Sequence, residues 1–332
     1  MAIFLESLKE QGFLDSLKMS IGIVGSRKLS EQDDYSQQGW LHFGENLTIY
    51  GFDADADACD AANAELAERE DVNWVEKHIP LALGNSCGEQ TLFVTHEPMC
   101  SSLYPPNELL MSRFEGLQEA AGLAFEIEIE TTTLDQFCQT EAISEIDFLQ
   151  IDVQGADLDV LKGALELLSR SVFAIQIEIE FAELYKGQPL FADIDTFLRN
   201  QHFTLFDIYR SHLRKKSAPI TSLHHPGQLL WGEGYYLRDP LGDESLNSLF
   251  QTPERLLKLA CIADILHFAD YATEILEYLT FQHPQKANYN FSSVIIDSFS
   301  RLGREYERDF SDLPVIQRIL CTFDGMRFPS HG

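Results

Sequence analysis

Three acids stand where a short apolar stretch gives way to a turn. Asp53 follows Leu47–Phe52, Asp152 lies within Phe148–Val153, and Glu178 comes near the end of Phe173–Ile179. A carboxylate in such a place can accept hydrogen bonds from a sugar diol, take a proton from a hydroxyl, or cap the helix that follows. Position alone leaves these roles open: Asp53 and Asp152 as ligand-facing acids or helix caps, Glu178 as a base or a salt-bridge partner. In open α/β sheets, ligands bind outside the carboxyl ends of the strands, which is where all three would stand.

The elements needed to position them are legible. Ile21–Val24 reads as a first strand, ending in the turn Gly25-Ser26-Arg27. Leu47–Phe52 reads as a second, followed by a helix over Ala56–Glu70, and Asn73–Leu83 as a third. Phe148–Val153 has the apolar character of a buried parallel strand. After it, Leu158, Leu161, Leu165 and Leu168 fall at helical spacing, with Gly155 at the join. Phe173–Ile179, Ala192–Asn200, Thr204–Ile208 and Leu229–Leu237 continue as strand, helix, strand and a late strand at the sheet edge. This alternation predicts a doubly wound α/β domain over 21–240. Residues 1–20 read as an amphipathic helix outside the sheet, and Met1–Leu17 does not read as a signal peptide. From 241 to 332 the pattern is all-helical, opening at Thr252-Pro253 and broken near His283 by Pro284.

Composition narrows the partners. The 332 residues carry 53 acids against 24 Lys and Arg, a net charge of −29, which repels phosphate backbones and anionic lipid. Nucleic acid and membrane are therefore not expected as partners, and no run is long and apolar enough to span a bilayer. The six cysteines are scattered without a Cys-x-x-Cys, as reduced thiols of a cytoplasmic protein would be. No metal site is expected. Glu126, Glu128 and Glu130 alternate on what reads as the wet side of a strand, and the histidines, His224-His225 included, show no paired ligand spacing.

Several stretches, in order over about residues 20–240, together resemble the FkbM-type S-adenosylmethionine-dependent methyltransferases. Asp147–Ala164 resembles the family's central signature, and Thr133-Leu134-Asp135 the element before it. Glu178–Phe191 is similar to the strand and loop after it, Gly51–Asp55 to the acidic element, and Ser101–Tyr104 to a serine-rich loop. Two departures stand out: Ile23 occupies the place of an acid, and Gln154 that of a glutamate. The resemblance implies a Rossmann-like class I methyltransferase sheet; the helical tail from 241 lies outside it and is expected to cover the active site or to make a homodimer contact. It implies S-adenosylmethionine as cofactor, S-adenosylhomocysteine as product, and a small-molecule hydroxyl acceptor such as a sugar, glycolipid or polyketide. By the same resemblance Gly25 and Ser26 approach the methionine portion, Asp53 with Ala54 takes the ribose hydroxyls, and Ala82 and Leu83 lie near the adenine. Asp152 lines the reaction centre, with Asp152 and then Glu178 as candidate base. Two other readings share these residues. One is a non-catalytic binding protein with a degenerate turn at Ile23; the other is an NAD(P)-dependent oxidoreductase, which would need a glycine-rich first turn.

Overall fold

Gly25 sets the geometry on which the rest depends. In the computed structural model, which describes residues 2–27, 39–222, 224–243, 246–282, 287–323 and 325–329, its φ is +84°. A Cβ there would stand 1.9 Å from the carbonyl oxygen of Asp152, so no side chain fits. The chain divides into two units, Ser20–Leu29 with Thr48–Asp239, and Met1–Met19 with Ser30–Leu47 and Pro240–Gly332.

The first unit is built on β1 (Met19–Val24), β2 (Leu47–Asp53), β3 (Val75–Pro80), β4 (Ala82–Leu83), β5 (Gly88–Thr95), β6 (Leu123–Thr132), β7 (Phe148–Ile151), β8 (Ala174–Glu180), β9 (Thr204–Leu213) and β10 (Gln228–Leu237). Seven form one sheet in the order β3-β2-β1-β7-β8-β10-β9. β7 is parallel to β1 and β8, β2 is parallel to β3, and β10 runs antiparallel to β8 and β9. This is the expected doubly wound sheet, with the strand order reversing between β1 and β7. Leu149, Ile151, Ile175, Ile177 and Ile179 are buried, because helices cover both faces of a parallel sheet. The helices of this unit are α2 (Ala56–Glu68), α3 (Glu108–Met111), α4 (Leu117–Ala121), α5 (Leu134–Thr140), α6 (Asp157–Lys162), α7 (Leu165–Arg170) and α8 (Phe191–Asn200).

Four sequence expectations are corrected here. The leucine-spaced helix after β7 is two helices, because Gly163 packs against the Gly84 carbonyl so closely that a Cβ would lie 2.1 Å from its oxygen. The late strand β10 is not the edge: it inserts between β8 and β9. The third strand stops at Pro80, and Ala82–Leu83 instead pair in parallel with Thr131–Thr132 in a separate sheet, β4-β6-β5. In that sheet β6 is wet on both faces, since Phe125 is 56% and Ile127 41% exposed along with the glutamates.

The second unit is helical: α1 (Leu5–Glu10), α9 (Asn247–Phe250), α10 (Pro253–Ile265), α11 (Ala269–Gln282), α12 (Ser292–Tyr306) and α13 (Pro314–Thr322). The N-terminal helix is shorter than the sequence pattern suggested and packs with α12, where Arg301 pairs with Glu6, Glu10 and Asp297. Thr252 caps α10 and Pro253 occupies its first turn, as expected, whereas His283 and Pro284 lie outside the described residues. None of the described helices is long and apolar enough to cross a membrane.

Asp264 on the buried helix α10 joins the ends of this unit. Its oxygens accept the N–H groups of Ile3 at 2.8 Å, Phe4 at 2.8 Å and Leu5 at 3.1 Å, which the start of α1 would otherwise leave unpaired. Asp264→Ala strands these donors in an apolar setting. The expected cost is about 3 kcal/mol or more, read as a lower urea midpoint, and an unchanged midpoint would refute this account.

Candidate functional site

Three strand ends are pinned together where the strand order reverses. Gly25 and Ser26 both direct their N–H groups to the Phe52 carbonyl at 2.9 Å, tying the β1 turn to β2. Asp152 N–H reaches the Val24 carbonyl at 2.9 Å, tying β7 to β1. Asp53, the Gly25–Ser26 turn, Asp152 and Glu178 therefore follow one another along the carboxyl edge of β2, β1, β7 and β8.

Asp53 does not cap a helix. Asp55 does, its side chain accepting the N–H groups of Asp57 and Ala58. Asp53 Oδ1 instead takes the Asp55 N–H at 2.8 Å, which orients the carboxylate. Burial raises its pKa, opposed by that N–H and by the Arg27 guanidinium, which itself pairs with Asp55. Ala54, beside it, is exposed. Asp53 is in register with Pro80, so half-buried Leu81 and Ala82 follow at the neighbouring strand end. Leu83, 4% exposed, packs in the core, and Ala82 is half-buried.

Asp152 does not cap a helix either. Asp157 serves the turn before α6, its two oxygens accepting the N–H groups of Val153 at 3.1 Å and Gly155 at 3.0 Å. Exposed Asp152 and half-buried Glu178 are joined by one residue, Gln154, whose φ is +55°. Its Nε2 donates to Asp152 Oδ1 at 2.7 Å and to Glu178 Oε2 at 3.0 Å. Its Oε1 lies 3.1 Å from the Tyr185 hydroxyl, which is also 2.7 Å from the Cys100 carbonyl. Ser102 Oγ donates to the Gln154 carbonyl at 2.6 Å. The loops carrying Tyr104-Pro105-Pro106 and Tyr185 bridge to each other at Pro106 and Tyr185, and Tyr185 is buried.

Asp157 and Glu180 complete a group of four carboxyls with Asp152 and Glu178. Burial, then the charge of Asp152, pushes Asp157 up to about 8, against the two N–H groups it accepts. Burial raises Glu178 well above the usual range, helped by Asp152, Glu180 and Asp157 and by a hydrogen bond in which its neutral form serves Asp152. Burial also raises Glu180, helped by Asp157 and Asp152. Neither oxygen of Glu180 meets a donor in hydrogen-bonding geometry, although the Gln188 amide lies against it and lowers it in part.

The folded chain thus holds a proton on Glu180 that the unfolded chain releases near pH 4.5, and stability falls as pH rises above that value. Glu180→Gln removes this residue's share of the dependence. The variant should match wild type near pH 4 and be the more stable of the two at pH 8 in urea melts. A difference that does not change with pH would contradict this assignment.

Sequence reasoning singled out Asp152 and Glu178 but not the bridge between them. Gln154 was visible only as a departure from a motif, and nothing in the sequence marked Glu180 as unpaired or Asp157 as the turn's anchor.

Residues 44–205 match the Methyltransferase FkbM domain, a span that contains Asp53, Ala82, Leu83, Asp152 and Glu178 but begins after Gly25 and Ser26. The 2-O-methyltransferase NoeI of Sinorhizobium fredii (strain NBRC 101917 / NGR234) is 43% identical over 70 residues, 21% of this chain and 28% of NoeI. The chain therefore spans little more than a quarter of that curated relative. Among solved structures, a methyltransferase FkbM from Methylobacillus flagellatus KT is 12% identical, covering 65% of this chain and 43% of its own, with a TM-score of 0.36. The magnesium protoporphyrin IX methyltransferase ChlM from Synechocystis PCC 6803, solved with bound SAM, is 11% identical, covering 71% and 78%, with a TM-score of 0.34. What this chain shares with the FkbM methyltransferases is therefore the domain matched at residues 44–205, just under half of its length.

Proposed function

We propose that this chain is an S-adenosylmethionine-dependent O-methyltransferase acting on a hydroxyl of a small molecule, a sugar, glycolipid or polyketide-like acceptor, in the cytoplasm. The observation that carries the reading is the convergence at the switch point of Asp53, which caps nothing, the side-chain-free turn at Gly25, and the Gln154-bridged pair Asp152 and Glu178. These residues fit the cofactor. The turn admits close approach, and a carboxylate at the tip of β2 suits a ribose diol. When bound, S-adenosylmethionine supplies a methyl group on a positively charged sulfur that leaves as a neutral thioether.

The chain's part is alignment and proton removal. Asp53 holds the ribose, Gly25 and Ser26 receive the amino-acid portion, and Ala82 borders the adenine. Asp152 takes the hydroxyl proton as the acceptor oxygen bonds to the methyl carbon. Neutral Glu178 and Gln154 hold Asp152 in place by hydrogen bonds. Alignment can supply on the order of 7–11 kcal/mol of barrier reduction, and a positioned base about 10²–10⁴-fold. The name of NoeI, a 2-O-methyltransferase, supports oxygen as the acceptor atom. A net charge of −29 argues against nucleic acid as acceptor.

The deciding experiment is calorimetry with S-adenosylmethionine and S-adenosylhomocysteine, followed by methyl transfer from labelled cofactor to a panel of hydroxylated sugars and lipids. Binding with transfer to oxygen supports the reading. Failure of the folded protein to bind either cofactor form would end it.

A further inference from the structure

The side of the main sheet that carries Glu178 stays polar well beyond the site. On β8, Ile175, Ile177 and Ile179 bury in the core, so Gln176, Glu178 and Glu180 face the other way. β10 pairs with β8 so that Trp231 lies opposite Glu180, Glu233 opposite Glu178 and Tyr235 opposite Gln176. β9 adds Tyr209 opposite Glu233. Gln176, Glu178, Trp231, Glu233 and Tyr235 are half-buried, and the row ends at Tyr209, 68% exposed on the edge strand. Two strand spacings separate Glu178 from Tyr209, roughly 10 Å, which is longer than a single sugar ring. The groups of this row are held but not used up. Glu233 Oε2 accepts from Gln176 Nε2 at 3.2 Å and from the Tyr235 hydroxyl at 3.1 Å, so both bonds fall on one oxygen. Among the described residues no donor reaches Glu233 Oε1, and no acceptor reaches the indole N–H of Trp231. Trp231 packs against the cluster of Phe114, Leu184, Tyr185 and Leu230, which holds its ring at the end of the row nearest the carboxyl edge.

The chemistry of the row selects among acceptors. A hydrocarbon chain laid here would strip water from Gln176, Glu233 and Tyr235 and return no hydrogen bonds. A phosphate or carboxylate would meet no Lys or Arg. The three strands contain one such residue, Arg210, which is in register with Gly232 and faces the other side. An uncharged sugar fits both features, since its C–H face suits an indole ring and its hydroxyls both donate and accept.

We propose that this face of β8, β10 and β9 seats the methyl acceptor and that the acceptor is an uncharged saccharide, with Trp231 against its ring and Glu233 on its hydroxyl edge. The proposal rests on the reading of Asp152 and Glu178 as the methyl-transfer site and narrows the acceptor to one class. Trp231 and Glu233, which make the selection, lie outside the matched residues 44–205.

The test begins with wild-type protein and labelled S-adenosylmethionine on an array of immobilised mono- and disaccharides, uncharged, phosphorylated and uronic, beside straight-chain alcohols. Label is expected to be strongest on uncharged sugars. Stronger label on phosphorylated or uronic sugars or on the alcohols, or no label on any uncharged sugar by protein that binds S-adenosylmethionine, would overturn the proposal and leave the cofactor reading standing. Protein that binds no cofactor would instead end the reading of the site, and this proposal with it. With the labelled sugar in solution, Trp231→Ala and Glu233→Ala should each raise KM about tenfold or more, the scale of a lost hydrogen bond to a charged group or of a lost aromatic contact. The affinity for S-adenosylhomocysteine, read by calorimetry, should stay within about twofold in both. An unchanged KM, or a cofactor affinity that falls as far as KM rises, counts against the seat. Should Trp231→Ala fail to fold, because its ring packs on the neighbouring cluster, Glu233→Ala alone decides.

Discussion

Asp53→Ala is expected to reduce the affinity for both S-adenosylmethionine and S-adenosylhomocysteine by about 10²–10⁴-fold, the effect of losing two charge-assisted hydrogen bonds of about 1.5–3 kcal/mol each. The magnitude follows from how this carboxylate is held. The Asp55 N–H fixes one oxygen, burial removes competing water, and the side chain does not serve the following helix. The neighbouring acid supplies the control. Asp55→Ala removes the N-cap of α2 and its pair with Arg27, so it should cost about 1 kcal/mol of stability with little loss of cofactor affinity. If Asp53→Ala behaves like Asp55→Ala, losing stability but not affinity, Asp53 is a structural residue and the ribose sits elsewhere.

A second large effect separates two acids that look equivalent in the sequence. Asp152→Asn should lower kcat by about 10²–10⁴-fold, because the amide cannot take the acceptor's proton. Glu178→Gln should be mild, within a few-fold. Burial and the charges of Asp152, Glu180 and Asp157 already hold Glu178 in its neutral form, and a glutamine side-chain N–H can donate to Asp152 as the neutral acid does. Rates measured with saturating labelled cofactor and the acceptor found by panel screening distinguish the two. The reverse order, a severe Glu178→Gln and a tolerated Asp152→Asn, would transfer the base to Glu178. Similar severity in both would mean that the pair acts as a unit and that the division of roles drawn here is wrong.

Local chemistry made much of the fold legible. The parallel strands β1, β2, β7 and β8 of the main sheet are short, mostly apolar runs between turn signals, and helices such as α5 and α10 are marked by the caps Thr133 and Thr252. Those signals lie within a few residues of one another, so they survive in a linear reading. Spacing failed where a distant backbone intervened. Leu158 and Leu165 share a helical period, yet the approach of Gly84 at Gly163 divides their helix in two. Ala82 and Leu83 continue an apolar run but turn away to pair with Thr131 and Thr132, nearly fifty positions later. β10 looked like an edge because it comes last, whereas its place between β8 and β9 depends on an antiparallel register with both.

The same division applies to the site. The amino-acid sequence alone determined which acids stand at strand tips, because strand ends are local, and it carried the ordered motifs by which the family is known. Only the tertiary structure decided what surrounds those acids. It gave the capping of α2 to Asp55 and the tie of the turn before α6 to Asp157, which leaves Asp53 and Asp152 without either task. It placed one amide, Gln154, between Asp152 and Glu178. The physical reason is range. Capping and periodicity act over one or two turns of chain, whereas a pKa or a hydrogen-bond direction in a buried site is set by every group that folding brings within a few ångströms, whatever its place in the sequence.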